Sequence, residues 1–285
     1  MLIRLGYDIS LAFLAPAPVT ALLSVHPSRY ADLREPDVVT TTPVVDIEQF
    51  IDLFGNRMTR FVAPTGTIRL HGHTLIEDSG LPDEVHWGAR GIPVERLPPE
   101  TLRYLVGSRF CEVDLLSPVA AELFGAVPPG WARVQAICDW VHGRVIYSFG
   151  QSSPTRTALD VFTGRAGVCR DFQHLAITFC RAMHIPARYA AGYLGDIGVP
   201  LSPIPMDFSA WFEVYLEDRW WTFDARHNTP RQGRVLMATG LDAADAALTT
   251  TYGAAALTHF EVISHEEPGT TNTGGGRRTE DGGRR

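Results

Sequence analysis

The sequence has no surplus of positive charge: 25 basic residues stand against 32 acidic ones, a formal net charge of −7 over 285 residues. Such a chain has little with which to neutralise a row of phosphates, so nucleic acid is not an expected partner. It also lacks any C-x-x-C pair or Cys/His ligand spacing. The four cysteines, Cys111, Cys138, Cys169 and Cys180, stand 27, 31 and 11 residues apart. Neither a metal site nor a disulfide framework is indicated, and no cofactor is expected. No apolar run reaches the ~20 residues that cross a bilayer. The longest, Ile9 to Val25, is interrupted by Pro16 and Pro18. Asp8 sits at its edge where a signal peptide would want a basic start, so the expected location is cytoplasmic and no membrane contact is expected.

What is present is a chain with 45% hydrophobic residues, enough for a large core. Residues 1–114 read as β-rich, with Leu2 to Tyr7, Val19 to Val25 and the alternating Gly66 to Gly72 as short strands between Pro, Gly and Asp clusters. The stretch around Phe50, Phe54 and Arg57 to Phe61 reads as a helical turn leading into a strand. His71 and His73 alternate on one strand face, an exposed pair without a third ligand. Residues 115–267 read as a second unit. Helices are expected at Glu100 to Leu105 near the boundary, at Leu115 to Phe124 and at Trp131 to Val145. A short helix capped by Ser152 to Thr155 follows, and then comes the stretch from Gly167 to Met183. Strands are expected at Ala187 to Leu194, Phe208 to Leu216, Arg219 to Asp224 and Leu257 to Ser264, with an irregular segment around Met237 and Thr239-Gly240. The fold class is therefore α+β.

The informative stretch is G-V-C-R-D-F-Q-H-L-A-I-T-F-C-R-A-M, residues 167–183. Apolar residues at Phe172, Leu175, Ala176, Phe179, Cys180 and Met183 form the stripe of a buried helix. Cys169 stands in its first turn, where unpaired N–H groups and the positive end of the macrodipole lower a thiol pKa. Cys169 is a candidate nucleophile, and its own main-chain N–H a candidate oxyanion donor. The competing reading is a small buried hydrophobe.

The motifs that follow shift the balance between these. G-V-C-R-D-F, then I-P-A-R-Y, then M-D-F-S-A-W-F-E-V-Y-L and R-W-W-T-F-D-A-R-H-N resemble, in order, the catalytic core of bacterial transglutaminase-like proteins, within the papain-like cysteine enzymes. The resemblance covers about residues 131–247, and the β-rich first half resembles the region that accompanies this core. It implies a Cys-bearing helix packed on an antiparallel sheet, thiol-dependent acyl transfer on an amide (transamidation, deamidation or peptide hydrolysis), and a peptide, protein or small amide as partner. Cys169 matches the nucleophile and Asp224 the carboxylate that orients the base. The family strand reads D-F-H-A-W where this chain has D-F-S-A-W, so Ser209 occupies the position of the catalytic histidine. A hydroxyl cannot take up the thiol proton near neutral pH. Three explanations stay open: another imidazole serves (His227, His174 or His142), the cleft binds without chemistry, or the chain is an active-site variant. His174 is disfavoured because five residues of helix turn it about 140° away from Cys169, and His227 reads first as a residue that holds the strand end.

Residues 268–285 carry no large apolar side chain and cannot offset their ordering entropy, so a disordered tail is expected. Deleting them should leave the melting temperature within about 2 °C, and a larger loss would show that the tail docks.

Overall fold

The computed structural model describes residues 1–268, and the expected tail lies outside them except for Pro268. The chain opens with β1 (Leu2–Phe13), whose alternating residues Ile3, Leu5, Tyr7, Ile9, Leu11 and Phe13 all point to one buried face. β2 (Ala17–Ala21), β3 (Thr40–Thr42), β4 (Glu48–Ile51), β5 (Arg57–Ala63) and β6 (Gly66–Glu77) complete the first β region. The helical turn expected near Phe50 does not form. The β4 and β5 strands pair there instead, around a turn in which Asp52 Oδ1 accepts the N–H groups of Phe54 and Asn56.

A helical region follows, made of α1 (Val113–Phe124), α2 (Trp131–Arg144), α3 (Ala158–Gly164) and α4 (Cys169–Ala182), with the two-residue strands β7 (Ile146–Tyr147) and β8 (Ala166–Gly167) paired in parallel between them. Glu100 to Leu105 is a 3-10 segment. The cap of α3 is Thr157, which exchanges bonds with Asp160, and not the expected Ser152 to Thr155 stretch. Helix α4 is buried on every side from Asp171 to Arg181, which exceeds the one-sided stripe read from its sequence. The cause is its position: α1, α2 and α3 pack on one side of it and a sheet on the other.

That sheet is antiparallel and consists of β9 (Ala187–Leu194), β10 (Ser209–Leu216), β11 (Arg219–Phe223) and β12 (Arg234–Gly240), in the order β11-β10-β9-β12. β12 corrects the expectation of an irregular segment around Met237. It pairs with β9 through an irregularity between Leu236 and Ala238, and Val235, Met237, Ala238 and Thr239 are all buried. Burial on both faces erases the alternation that would have marked it. The fold is thus α+β, with a Cys-bearing helix on an antiparallel sheet.

The last strands, β13 (Thr249–Thr251) and β14 (Ala255–Glu266), return to the first region. β13 joins β2, β5 and β4, while β14 lies along the whole of β1 in the sheet β14-β1-β6-β3. The first region therefore includes strands from both ends of the described chain. Its core is continuous with Tyr193, Phe208, Val235 and Met237 of the second region.

Asn56 fastens the two. Fully buried, it donates from Nδ2 to Thr239 O at 2.8 Å and accepts the Thr239 N–H at 2.8 Å. Asn56→Ala should leave both Thr239 groups unsatisfied, at a cost of about 3 kcal/mol. The expected fall in melting temperature is roughly 6–10 °C, and a fall below about 2 °C would show that water replaces the amide.

Candidate active site

Cys169 is the first residue of α4, and the local sequence explains how it is held. Asp171 Oδ2 accepts the Val168 N–H at 2.8 Å and folds back over Gly167, where a Cβ would lie 2.7 Å from that same oxygen. Glycine at 167 and aspartate at 171 thus specify the entry into the helix. The Arg170 guanidinium lies 3.5 Å from the other Asp171 oxygen.

Cys169, Ser209 and His227 line one cavity of about 500 Å³, together with Asp207, Arg226 and Arg231. Ser209 starts β10, is buried, and stands opposite Gly192 of β9, whose missing side chain is required because a Cβ there would meet Val235 O at 2.1 Å. Asp224, just after β11, is buried and saturated with donors. Its Oδ1 accepts the N–H groups of Arg226 (2.9 Å) and His227 (3.1 Å) and Nε2 of Gln173 (3.0 Å). Its Oδ2 accepts from His227 Nδ1 at 2.8 Å and Arg234 Nη2 at 2.9 Å. Burial alone would raise this carboxyl, but Arg234 and His227 outweigh it and hold it well below the usual carboxylate range.

Of the three histidines considered from the sequence, His227 lines the cavity. His174 is buried, accepts the Ala243 N–H at Nε2 and stacks on Phe110, and burial pushes it down to about 3. His142 bonds Arg226 O at 2.8 Å from an exposed position. Gln173 and Arg234 were missed in the sequence. Gln173 follows Cys169 by one helical turn, a spacing that puts both on one face, and it ties α4 to the strand end by also accepting the Ala225 N–H at 3.1 Å. Arg234 starts the strand that the sequence hid.

The Cys169 thiol differs from the lowered pKa expected of a helix start. Burial pushes it up to about 11, and the nearby Asp207 carboxylate adds to this; Arg226 and the N–H groups of Ala210 and Arg170 pull the other way and lose. Among the described residues no histidine is hydrogen-bonded to its sulfur. Asp207 is itself raised by burial, against the opposing pull of the Phe208 N–H, Arg226 and Arg170. The remaining thiols, Cys111, Cys138 and Cys180, are buried, whereas Cys169 is partly exposed.

Comparison with known proteins bears on the same region. The family model for the transglutaminase-like superfamily matches residues 118–225. The crystal structure of a candidate cysteine protease from Cytophaga hutchinsonii is 32% identical, covers 93% of this chain and 90% of its own, and superposes with a TM-score of 0.83. An uncharacterised protein of Mycobacterium leprae is 28% identical over 242 residues, which is 79% of this chain and 83% of that protein. The periplasmic domain of TgpA from Pseudomonas aeruginosa matches at 16% identity over 79% of this chain and 88% of its own, with a TM-score of 0.40. Among the described residues, no helix is long and apolar enough to cross a membrane.

Iodoacetamide should label Cys169 ahead of the three buried thiols. With its acidity suppressed, the rate should climb about tenfold per pH unit from pH 7 to pH 9. A labelling rate already flat at pH 8 would show a thiol activated by a partner the static arrangement does not join to it.

Proposed function

Because this chain belongs to the transglutaminase-like superfamily, we propose that it transfers acyl groups from amides through Cys169, with His227 serving as base in place of the histidine that Ser209 has displaced. The observation that carries this reading is the 2.8 Å bond from His227 Nδ1 to Asp224 Oδ2 on the wall that also holds Cys169. The bond fixes Nδ1 as the protonated nitrogen of a neutral ring and leaves Nε2 as the basic one. In the proposed sequence Nε2 accepts the thiol proton as sulfur attacks the amide carbon. It then returns the proton to the departing amine, and a thioester remains on Cys169 until water or a second amine takes the acyl group. The main-chain N–H of Cys169, at the first position of α4, has no partner inside the helix and suits the developing oxyanion. No side chain of this protein can serve as the amine acceptor, since all 25 basic residues are arginine and there is no lysine.

A second reading, a cleft that binds its ligand without chemistry, is favoured by the thiol's rise to about 11. Turnover of a generic peptide amide or activated ester separates the two. The first reading expects Cys169→Ala to abolish activity and His227→Gln to reduce kcat/KM by about 10²- to 10⁴-fold. Ser209→His should then add little. An inert starting protein that gains activity from Ser209→His would establish the second reading and locate the lost base, and full activity in His227→Gln would remove His227 from the mechanism.

A further inference from the structure

Among the described residues the side chains of Arg181, Arg231 and Arg234 are buried, and they are satisfied to different degrees. Arg181 donates to Ala187 O, Val106 O, Leu241 O and Ser108 Oγ. Arg234 pairs with Asp83 and Asp224 at 2.8 and 2.9 Å. Arg231 is only 8% exposed, yet among the described residues its guanidinium has one protein partner, Gly195 O at 3.1 Å from Nη2. Its Nε is buried without any partner, and among the described residues no carboxylate lies within ion-pair distance of it. A buried cation left in this state is costly unless something else supplies the negative charge.

Arg231 lines the cavity that holds Cys169, and Arg226 lines the same wall. The Arg226 guanidinium lies over the Tyr147 ring at 3.9 Å and has no ion-pair partner among the described residues. Three protein carboxylates also face this space, and among the described residues none of them forms an ion pair with Arg231 or Arg226. Asp196 is engaged by the Ser202 N–H at 2.7 Å, Asp207 acts on Arg226 through space without an ion-pair contact, and Glu266 sits exposed on β14. The guanidinium fork is the donor geometry that matches a carboxylate.

We propose that Arg231, assisted by Arg226, forms a carboxylate-binding subsite beside Cys169, so that the acyl substrate carries a free carboxylate close to the amide that reacts. This rests on the acyl-transfer reading of the same cavity and adds the substrate class to it. The carboxylate is either the α-carboxylate that ends a peptide or an acidic side chain next to the reacting residue. Both present the same group to the two arginines.

The test reads binding in the full chain carrying Cys169→Ala, so that it does not depend on turnover. The probes are dansyl-Gln-Gly with a free carboxylate, its C-terminal amide, and dansyl-Gln-Glu amide, whose sole carboxylate is on the side chain. Fluorescence titration should show at least one acid binding about tenfold or more tightly than dansyl-Gln-Gly amide. Arg231→Gln or Arg226→Gln should reduce that preference to within about twofold. Tighter binding of dansyl-Gln-Gly assigns the subsite to a chain end, and tighter binding of dansyl-Gln-Glu amide to an acidic side chain. Equal binding of the acids and the amide, or a preference that survives in both arginine variants, overturns the proposal. Should Arg231→Gln fail to fold, Arg226→Gln carries the measurement alone. Turnover in the parent without carboxylate preference would refute the subsite and leave acyl transfer standing; carboxylate-selective binding in a chain without turnover would do the reverse.

Discussion

The site depends on the buried carboxylate of Asp224. A lone charge at that depth would be expelled or protonated, so its environment must supply donors, and these come from three parts of the chain. Gln173 brings α4, the main-chain N–H groups of Arg226 and His227 bring the turn after β11, and Arg234 brings β12. Arg234 also holds Asp83, in the segment that leads from the first β region into the helices. The need to satisfy one carboxylate therefore fixes the position of the nucleophile's helix relative to the sheet. It also fixes His227, whose ring takes the remaining place on Oδ2. The imidazole is held by the charge requirements of the core before any substrate is considered.

Those same requirements explain the thiol. A helix start favours thiolate by a local dipole, but burial acts on the whole charge, and here Asp207 faces the sulfur as well. In the sequence the dipole was visible, because it needs only the position of Cys169 in its own helix. Burial was not, because it depends on Tyr147, Asp207 and the β10 entrance closing over the residue from distant positions. Local and long-range effects have opposite signs at this residue, and the long-range one is larger.

The division between legible and hidden elements follows the same rule. α2, α4, β9, β10 and β11 were readable because a helical stripe or a bounded strand leaves a periodic mark in consecutive residues. β12 leaves none, since sheet neighbours and both cores cover Val235 to Gly240 together. Arg231 and Arg234 inherited that obscurity: a basic residue in an apparently irregular segment reads as solvated. Ser209 was the reverse case, conspicuous against the family pattern, while the partner of Asp224 in its absence, His227, could be identified only from the bond it makes. The α3 cap shows the finer scale, where Ser152 to Thr155 and Thr157 are all plausible caps and the reciprocal bond to Asp160 selects the last.

The β-rich region is more than an appendage to this site. β14 pairs with β1 over nearly its whole length, and at its far end Ser264, His265 and Glu266 line the cavity that contains Cys169. Gly195, whose carbonyl accepts from the Arg231 guanidinium, approaches Ser264 so closely that a Cβ on it would lie 2.3 Å from the Ser264 carbonyl oxygen. The strand that closes the first sheet thus also fixes the backbone against which Arg231 is held. A slip of β14 by one residue would turn its side chains to the opposite face and replace the cavity wall along with the sheet edge. The accuracy of strand pairing in one region therefore sets the shape available to a substrate in the other, which is a physical reason for the two to be built with a shared core instead of a flexible link.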